Sequence, residues 1–313
     1  MAAAAPIVIA HRGASGYLPE HTLASAAYAH ALGADYIEQD LVMSRDGELV
    51  VLHDIHLETT TDVAKKFPDR ARDDGRFYAI DFDWAELKTL EVNERINVTT
   101  GERVYPDRFP LQPGPVRLCR MEDQIQLIQG LNQSTGRTVG IYPEIKKPAW
   151  HAVEGKDPGT ALLALLDRYG YREANDPVFV QCFDPAELKR LRFELKTRLR
   201  LVQLIGKTEW NESTADYEAM RTPEGLAEVA TYAQGIGPHL DFVVLAPNEP
   251  PTSLVADAHA IGMEVHPFTV RADSLPDAFP TLAGLMGALH AVGVDGWFTD
   301  HPDLTKPDSA LTH

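Results

Sequence analysis

The chain has 313 residues, of which 44% are hydrophobic and 24% are charged, a composition typical of a folded globular protein. Its formal net charge of −17 opposes general binding to nucleic acid or to an anionic membrane surface. Apolar runs stay shorter than the roughly 18 residues that a transmembrane helix needs, so we predict no integral membrane segment. An anionic substrate would have to meet local positive charge or a metal ion.

The first predicted strand and helix follow the N-terminus closely. The run "IVIA", from Ile7, ends at His11-Arg12, and a helix is predicted over residues 20–32, ending at Gly33. The opening "MAAAAPIVIA" lacks the basic segment and the long apolar core of a signal peptide. We interpret it as the trimmed edge of a mature protein.

A short hairpin is predicted after the second strand, "YIEQDL". Too few residues separate this strand from "ELVVLHD" for a parallel crossover, so the two are predicted to be antiparallel and joined at Asp46-Gly47. Folding the chain about this turn places His53 opposite Asp40.

The periodic pattern stops after the hairpin. Residues 54–118 are rich in Pro, Arg and Asp, and the segment is too long for a plain loop between a strand and a helix. We predict a single domain over residues 1–313, with residues 54–118 as a small insertion at the carboxyl ends of the strands.

Beyond residue 119, apolar runs of strand length alternate with helix-like segments, which is typical of a parallel sheet. Eight parallel strands, each near a helix, fit a (β/α)₈ TIM-type barrel. The rhythm alone leaves a doubly wound open sheet as the alternative. The approximate strand starts are Ile7, Tyr36, Val139, Val178, Leu199, Asp241, Glu264 and Asp295.

Polar and charged side chains stand at the carboxyl ends of these strands, where a barrel of this type holds its active site. Two histidines, three carboxylates, one arginine and one lysine are predicted to converge there. They are His11, Arg12, Glu38, Asp40, His53, Glu144 and Lys146, with Gln181, Gln203, His266, Phe298 and Asp300 at similar positions.

This set of side chains indicates phosphodiester cleavage. Buried carboxylates need a compensating cation, and an all-oxygen ligand set favours Ca²⁺ or Mg²⁺. Arg12 and Lys146 would bind a phosphate, and two histidines suit general acid and general base catalysis. The alternative for Glu38 and Asp40 is a solvated strand end or ion pairing with the two cations. Gln181 and Phe298 are either substrate contacts or packing residues.

The two cysteines, Cys119 and Cys182, could form at most one disulfide. We expect both to be free and buried, although the sequence leaves their pairing open. The sequence also does not predict an oligomeric state.

Four segments resemble the signatures of the glycerophosphodiester phosphodiesterase family: "AHRGASGYLPEHT", "YIEQDLVMSRDGELVVLHD", "YPEIK" and "FTDHPD". "GIYPEIKKPAWHAVEGKD", "VFVQCFDPAELKRL" and "LVQLIGKTEWNE" are similar to the bacterial periplasmic branch of that family. The likeness covers almost the whole chain. One departure is His21, where the wider family more usually has Asn, and its role stays open.

The resemblance implies a (β/α)₈ barrel that usually depends on Ca²⁺ and releases sn-glycerol 3-phosphate and an alcohol from substrates such as glycerophosphocholine or glycerophosphoethanolamine. Carried over by position, it implies that His11 and His53 are catalytic and that Arg12 and Lys146 bind phosphate. The metal carboxylates would be Glu38, Asp40 and Glu144. The resemblance and the trimmed N-terminus together predict a periplasmic or secreted protein.

Two other functions remain open from the sequence. A barrel of this type could act on lipids, as a lysophospholipase D or a phosphoinositide phosphodiesterase, and would then need an apolar rim. A surface or periplasmic binding protein could keep the barrel without chemistry, and the loss of a histidine or a metal carboxylate would favour it. No such residue is missing. The headgroup preference and the division of acid and base roles between the histidines are not encoded in these motifs.

Overall fold

A ring of parallel strands forms the centre of the molecule. The computed structural model describes residues 5–109, 116–246 and 250–306. Within these residues the strands are β1 (Ile7–Ala10), β2 (Tyr36–Met43), β3 (Leu49–Val51), β4 (Gly140–Ile145), β5 (Phe179–Cys182), β6 (Arg200–Ile205), β7 (Gly235–Pro238), β8 (Glu264–Val265) and β9 (Gly296–Thr299).

The strand order is β8-β7-β6-β5-β4-β2-β1-β9, and every neighbouring pair in it is parallel. Backbone hydrogen bonds connect the two ends of this order, because Asp295 N donates to Val265 O and Phe298 N donates to Pro267 O. The ring of eight strands confirms the predicted (β/α)₈ barrel and excludes the open sheet. Strand β3 lies outside the ring and pairs antiparallel with β2.

Helices surround the barrel, and three of them are capped by a threonine that directly precedes the helix. The hydroxyl oxygens of Thr22, Thr222 and Thr281 each accept a hydrogen bond from the backbone N–H three residues on, which satisfies a donor that the helix leaves free. The described α-helices are α1 (Leu23–Ala31), α2 (Val63–Lys66), α3 (Trp84–Leu87), α4 (Met121–Thr135), α5 (Pro148–Val153), α6 (Pro158–Arg168), α7 (Pro185–Lys189), α8 (Pro223–Val229), α9 (Leu254–Ala260) and α10 (Leu282–Val292). None of them is long and apolar enough to span a bilayer.

Apolar side chains fill two layers of the barrel. One layer lies between the strands and the surrounding helices and includes Ile37, Leu201 and Leu285. The other lies inside the ring and includes Tyr142 and Phe298. Full burial of each such side chain stabilises the fold by roughly 1.5–3 kcal/mol, so these layers fix the strands that carry the site.

The segment between β3 and α4 has a small core of its own. It contains α2, α3 and short 3₁₀ turns, and its core includes Leu52, Phe77 and Phe82. Phe67 and Trp84 pack against this core. The segment coincides with the predicted insertion, while the boundaries of the domain stay a prediction. Residues 110–115 of that insertion lie outside the described residues.

Two details of the predicted strand arrangement are wrong. The strand predicted from Asp241 is a 3₁₀ turn, Leu240–Phe242, and the sixth barrel strand is instead β7, with the sequence "GIGP". In the hairpin, Leu52 rather than His53 lies opposite Asp40, since Leu52 N donates to Asp40 O. The cysteine prediction holds, because Cys119 and Cys182 are both buried and free.

Candidate active site

The carboxyl ends of the strands open into a cavity of about 360 Å³, which we call the upper cavity. Its lining includes every residue for which a catalytic, phosphate-binding or metal-binding role was predicted. These residues are His11, Arg12, Glu38, Asp40, His53, Glu144, Lys146, Gln181 and Phe298.

A tight turn after β1 presents His11 and Arg12 to the upper cavity. His11 N donates to Thr299 O of β9 at 2.9 Å, which extends the barrel pairing by one residue. Arg12 and Gly13 then adopt positive φ angles of 60° and 83°. A Cβ atom on Gly13 would lie 2.5 Å from Ser25 Oγ, so only glycine fits at this position.

Three carboxylates meet at the floor of the upper cavity. Glu38 and Asp40 are two residues apart on β2 and point to the same side, and Asp40 is paired with Glu144 of β4. All three are at most 5% exposed, and Asp40 Oδ1 has no hydrogen-bond partner. Burial, followed by the charge of Asp40, raises the pKa of Glu38 well above its usual value. Burial also raises the pKa of Glu144, although Lys146 opposes that shift.

His21 joins this group, which the sequence left undecided. Its Nε2 lies 2.8 Å from Asp40 Oδ2, and donor atoms of His21, Glu38 and Asp40 lie within 4.8 Å of one another. That spacing is compatible with a bound metal ion. Glu144 Oε1 instead lies 2.8 Å from Lys146 Nζ.

Two cations flank the carboxylates. Arg12 Nε is 3.5 Å from Asp40 Oδ2, and Arg12 Nη1 is 3.1 Å from Glu20 Oε1. Lys146 Nζ is 3.4 Å from His53 Nε2, and its side chain is 2% exposed. A phosphate in the upper cavity would therefore meet one guanidinium and one ammonium group.

Both predicted catalytic histidines face these cations through Nε2 and an aspartate through Nδ1. His11 Nδ1 is 2.6 Å from Asp300 Oδ1, and His53 Nδ1 is 2.6 Å from Asp54 Oδ1. Burial, together with the charge of Arg12, lowers the pKa of His11 to about 3 and the pKa of His53 to about 4. Both imidazoles are therefore neutral at pH 7, and each can accept a proton at Nε2.

Residues 11–304 match the Glycerophosphoryl diester phosphodiesterase family. The chain belongs to this family. A glycerophosphodiester phosphodiesterase from Haemophilus influenzae is 47% identical, with 95% of this chain and 88% of the relative covered. The predicted family and enzyme class, and the prediction of hydrolytic activity on glycerophosphodiesters, are thereby confirmed, and the non-enzymatic alternative is excluded.

Solved structures share the fold of this family member. A protein from Silicibacter pomeroyi, assigned to the glycerophosphoryl diester phosphodiesterases, is 26% identical and aligns with a TM-score of 0.74 over 96% of this chain and 92% of that one. A phosphodiesterase from Oleispira antarctica, in complex with its product sn-glycerol-3-phosphate, is 22% identical. It aligns with a TM-score of 0.65 over 96% of this chain and 95% of that one. Both support the barrel.

The remaining barrel-end residues of this family member separate into two groups. Gln181 reaches the carboxylates, with its Nε2 3.4 Å from Glu38 Oε1, and Asp300 contacts His11. Gln203 lies away from the upper cavity, where its side chain bonds to Tyr232 and to backbone carbonyls. His266 lies at the opposite end of the barrel.

The sequence prediction missed one wall of the upper cavity. This wall follows β5, β6, β7 and β8 and is mainly aromatic, with one carboxylate and one further cation. It comprises Phe183, Leu204, Trp210, Glu212, His239, Phe268, Thr269 and Arg271. The available signal was that loops after barrel strands line the site. The irregular sequence of these loops gives no indication of which side chain turns inward.

Proposed function

We propose that the chain hydrolyses soluble glycerophosphodiesters to sn-glycerol 3-phosphate and an alcohol, with a divalent metal ion and two catalytic histidines. The observation that carries the proposal is the convergence of two neutral imidazoles, two cations and three buried carboxylates in one cavity. Each component matches one requirement of the reaction, namely binding the anion, neutralising charge and transferring protons.

Arg12 and Lys146 would bind the phosphate. A guanidinium group can form two parallel hydrogen bonds to phosphate oxygens, and an ammonium group adds a point charge. Both side chains are largely buried, at 13% and 2% exposed, so water screens their charges weakly. The overall charge of −17 therefore does not prevent local binding of an anionic substrate.

Glu38, Asp40 and Glu144 would hold a divalent cation, and the chemistry of this oxygen set fits Ca²⁺, with Mg²⁺ or another divalent ion as the alternative. Asp40 Oδ1 supports this assignment, because it is buried without a hydrogen bond, which is costly, and the Lys146 ammonium lies 3.9 Å away. His21, which contacts Asp40 Oδ2, would orient that carboxylate. When bound, such a cation neutralises negative charge on the phosphate oxygens.

His11 and His53 would act as the general acid and base. One Nε2 accepts the proton of the attacking hydroxyl while the new O–P bond forms. The other imidazole takes up a proton from water when the anionic substrate binds, because the negative charge favours its charged form, and donates this proton from Nε2 to the departing alcohol oxygen as the old P–O bond breaks. Gln181 and Phe298 would contact the substrate from the barrel interior. Gln181 Oε1 is buried without a partner, which supports a polar contact to a ligand.

The test is release of glycerol 3-phosphate by the purified chain from a panel of headgroups, with and without a chelator. We expect turnover of glycerophosphocholine and glycerophosphoethanolamine, loss of turnover in excess chelator, and recovery on addition of Ca²⁺. Undiminished turnover under rigorous chelation would remove the metal ion from the proposal. Absence of glycerol 3-phosphate from every soluble diester would overturn it entirely.

Packing of the insertion supports soluble substrates over lipids. A lipid-acting enzyme needs an apolar rim, and four aromatic residues of the insertion pack in or against its own core instead. Phe77 and Phe82 are buried in its core, and Phe67 and Trp84 pack against that core. We therefore expect soluble diesters to be turned over faster than micellar lysophospholipids in a side-by-side assay. The reverse ranking would favour the lipid-acting alternative.

We also propose a periplasmic or secreted location. The support is the resemblance of "GIYPEIKKPAWHAVEGKD" and "VFVQCFDPAELKRL" to the periplasmic branch of the family. Cell fractionation with an antibody against the chain tests it. Recovery in the cytoplasmic fraction alone would contradict the proposal.

A further inference from the structure

Each histidine of the proposed acid–base pair has the same arrangement of partners. Its Nδ1 lies 2.6 Å from an aspartate oxygen, Asp300 for His11 and Asp54 for His53. Its Nε2 accepts a hydrogen bond from a cation, at 3.2 Å from Arg12 Nε and at 3.4 Å from Lys146 Nζ. A carboxylate can only accept and a cation can only donate, so both partners require the proton on Nδ1.

The aspartate that contacts His11 is bound by an arginine of the insertion. Arg108 Nη2 donates to Asp300 Oδ2 at 2.7 Å, and Arg271 Nε donates to the same oxygen at 3.0 Å. The Arg108 side chain is 4% exposed and is fixed in turn by Asp273, at 2.7 Å. Since Asp300 is also buried, His11 faces a carboxylate whose position is set by two guanidinium groups.

The aspartate of His53 is held by a second arginine of the insertion. Arg95 Nη1 donates to Asp54 Oδ2 at 2.6 Å, and Thr59 Oγ1 donates to the same oxygen at 2.9 Å. Arg95 Nη2 also donates to Glu20 at 2.7 Å, and Glu20 accepts from Arg12. This chain of contacts joins the insertion to the phosphate-binding Arg12.

We propose that Asp54 and Asp300 are positioning residues that hold His53 and His11 in the Nδ1–H tautomer, and that Arg95 and Arg108 of the insertion fix these two aspartates. This inference rests on the proposed function of the same site. With Nδ1 protonated, each Nε2 presents its lone pair to the phosphate-binding cations, where a proton has to be accepted. The insertion thereby helps to determine which ring nitrogen of His11 and of His53 carries the proton.

The charges at these contacts support the assignment. Burial alone would raise the pKa of Asp54, but Arg95 and His53 hold it well below its usual value. Burial opposes ionisation of Asp300 in the same way, and Arg271 and His11 outweigh it. Both aspartates are therefore ionised and can accept from Nδ1–H at neutral pH.

The test combines kinetics with ¹⁵N NMR of the histidine rings in the full chain. In the wild type, both rings should show the shifts of the Nδ1–H tautomer. Asp300→Asn and Asp54→Asn should each lower kcat about 100- to 10,000-fold, because the amide can force the other tautomer, while KM stays within about threefold. Arg108→Lys and Arg95→Lys keep the charge and should lower kcat about tenfold.

The matched control is a histidine–aspartate pair at the opposite end of the barrel. His259 Nε2 lies 2.9 Å from Asp295 Oδ2, and Asp295→Asn should leave kcat and KM unchanged. Nε2–H tautomers in the wild type, or Asn variants with kcat within threefold of wild type, would overturn the inference. If the wild type released no glycerol 3-phosphate, the proposed function would fail, and the ring tautomers would still test the inference.

Discussion

The barrel has a cavity at each end, and the two differ in how their charges are buried. The upper cavity has a volume of about 360 Å³. A lower cavity of about 560 Å³ lies at the amino ends of the strands, and its lining includes three histidines. These are His259, His266 and His290. Neither volume nor the number of histidines identifies the reacting end.

The exposure of the carboxylates distinguishes the two cavities. In the lower cavity, the Glu264 and Asp295 side chains are 43% and 38% exposed, so water solvates them. In the upper cavity, Glu38 and Asp40 are at most 2% exposed, and burial removes that solvation. Buried carboxylates lose the stabilisation that water provides and need a cation or another ligand in its place, whereas solvated carboxylates do not.

The largest expected effect is on the histidines of the upper cavity. His11→Ala or His53→Ala should lower kcat by about 1,000-fold, since each variant removes one proton-transfer group. His259→Ala, in the lower cavity, should leave kcat within twofold of wild type. Steady-state release of glycerol 3-phosphate measures all three. A near-normal rate in either the His11 or the His53 variant would contradict the two-histidine mechanism.

The next effect concerns the buried carboxylates. Asp40→Asn should lower kcat roughly 100- to 1,000-fold and should abolish any rise in Tm that Ca²⁺ gives to the wild type, because the ligand charge is lost. Glu264→Gln should retain both the rate and the Ca²⁺ response. Thermal unfolding with and without Ca²⁺ gives a result that is independent of turnover. An unchanged Ca²⁺ response in Asp40→Asn would remove this carboxylate from the metal site.

A smaller effect is expected at Arg12, the arginine for which we propose phosphate binding. Arg12→Ala should lower kcat/KM about 10- to 100-fold, as expected for the loss of charged hydrogen bonds. Arg200→Ala, which removes the arginine of the lower cavity, should leave kcat/KM unchanged. Initial rates over a range of substrate concentrations measure both. Equal losses in the two variants would contradict the distinction between the cavities.

The smallest effect is on stability and comes from the lower cavity. Burial lowers the pKa of His266 to about 4, so the folded state favours the neutral ring. The resulting stabilisation is present above the unfolded pKa near 6.5 and is lost as the pH falls toward 4. Between pH 7 and pH 5 the wild type should therefore lose about 2 kcal/mol more unfolding free energy than His266→Gln. Urea unfolding at both pH values measures this difference, and parallel losses would contradict it.

The sequence was sufficient for the parts of the site that depend on strand ends. His11, Glu38 and Glu144 follow from the barrel rule alone, and His53 follows from the Asp46-Gly47 turn, with a shift of one residue. The sixth barrel strand, β7, could not be found in this way. "GIGP" has little apolar side chain to mark it, and the barrel rather than strand propensity determines its conformation.

Contacts between segments that are far apart in the sequence could not be predicted, for a different reason. Arg108 meets Asp300 across 192 residues of sequence, and Arg95 meets Asp54 from a segment without regular periodicity. Local patterns indicate which residues share a strand or helix face, but they do not encode which irregular loop closes over which strand end. The contacts that Arg95 and Arg108 make with these aspartates are therefore seen only in the structure.

One consequence follows from the position of β3 outside the ring. Of its three residues, Leu49 and Val51 pack in the barrel core, whereas Val50 and the adjoining Leu52 belong to the insertion core. His53 thus follows a strand that joins the two cores, and its position depends on the packing of both. Loosening of the insertion core alone should therefore displace His53 and inactivate the protein, and the temperature range of activity would be extended by stabilising the insertion as well as the barrel.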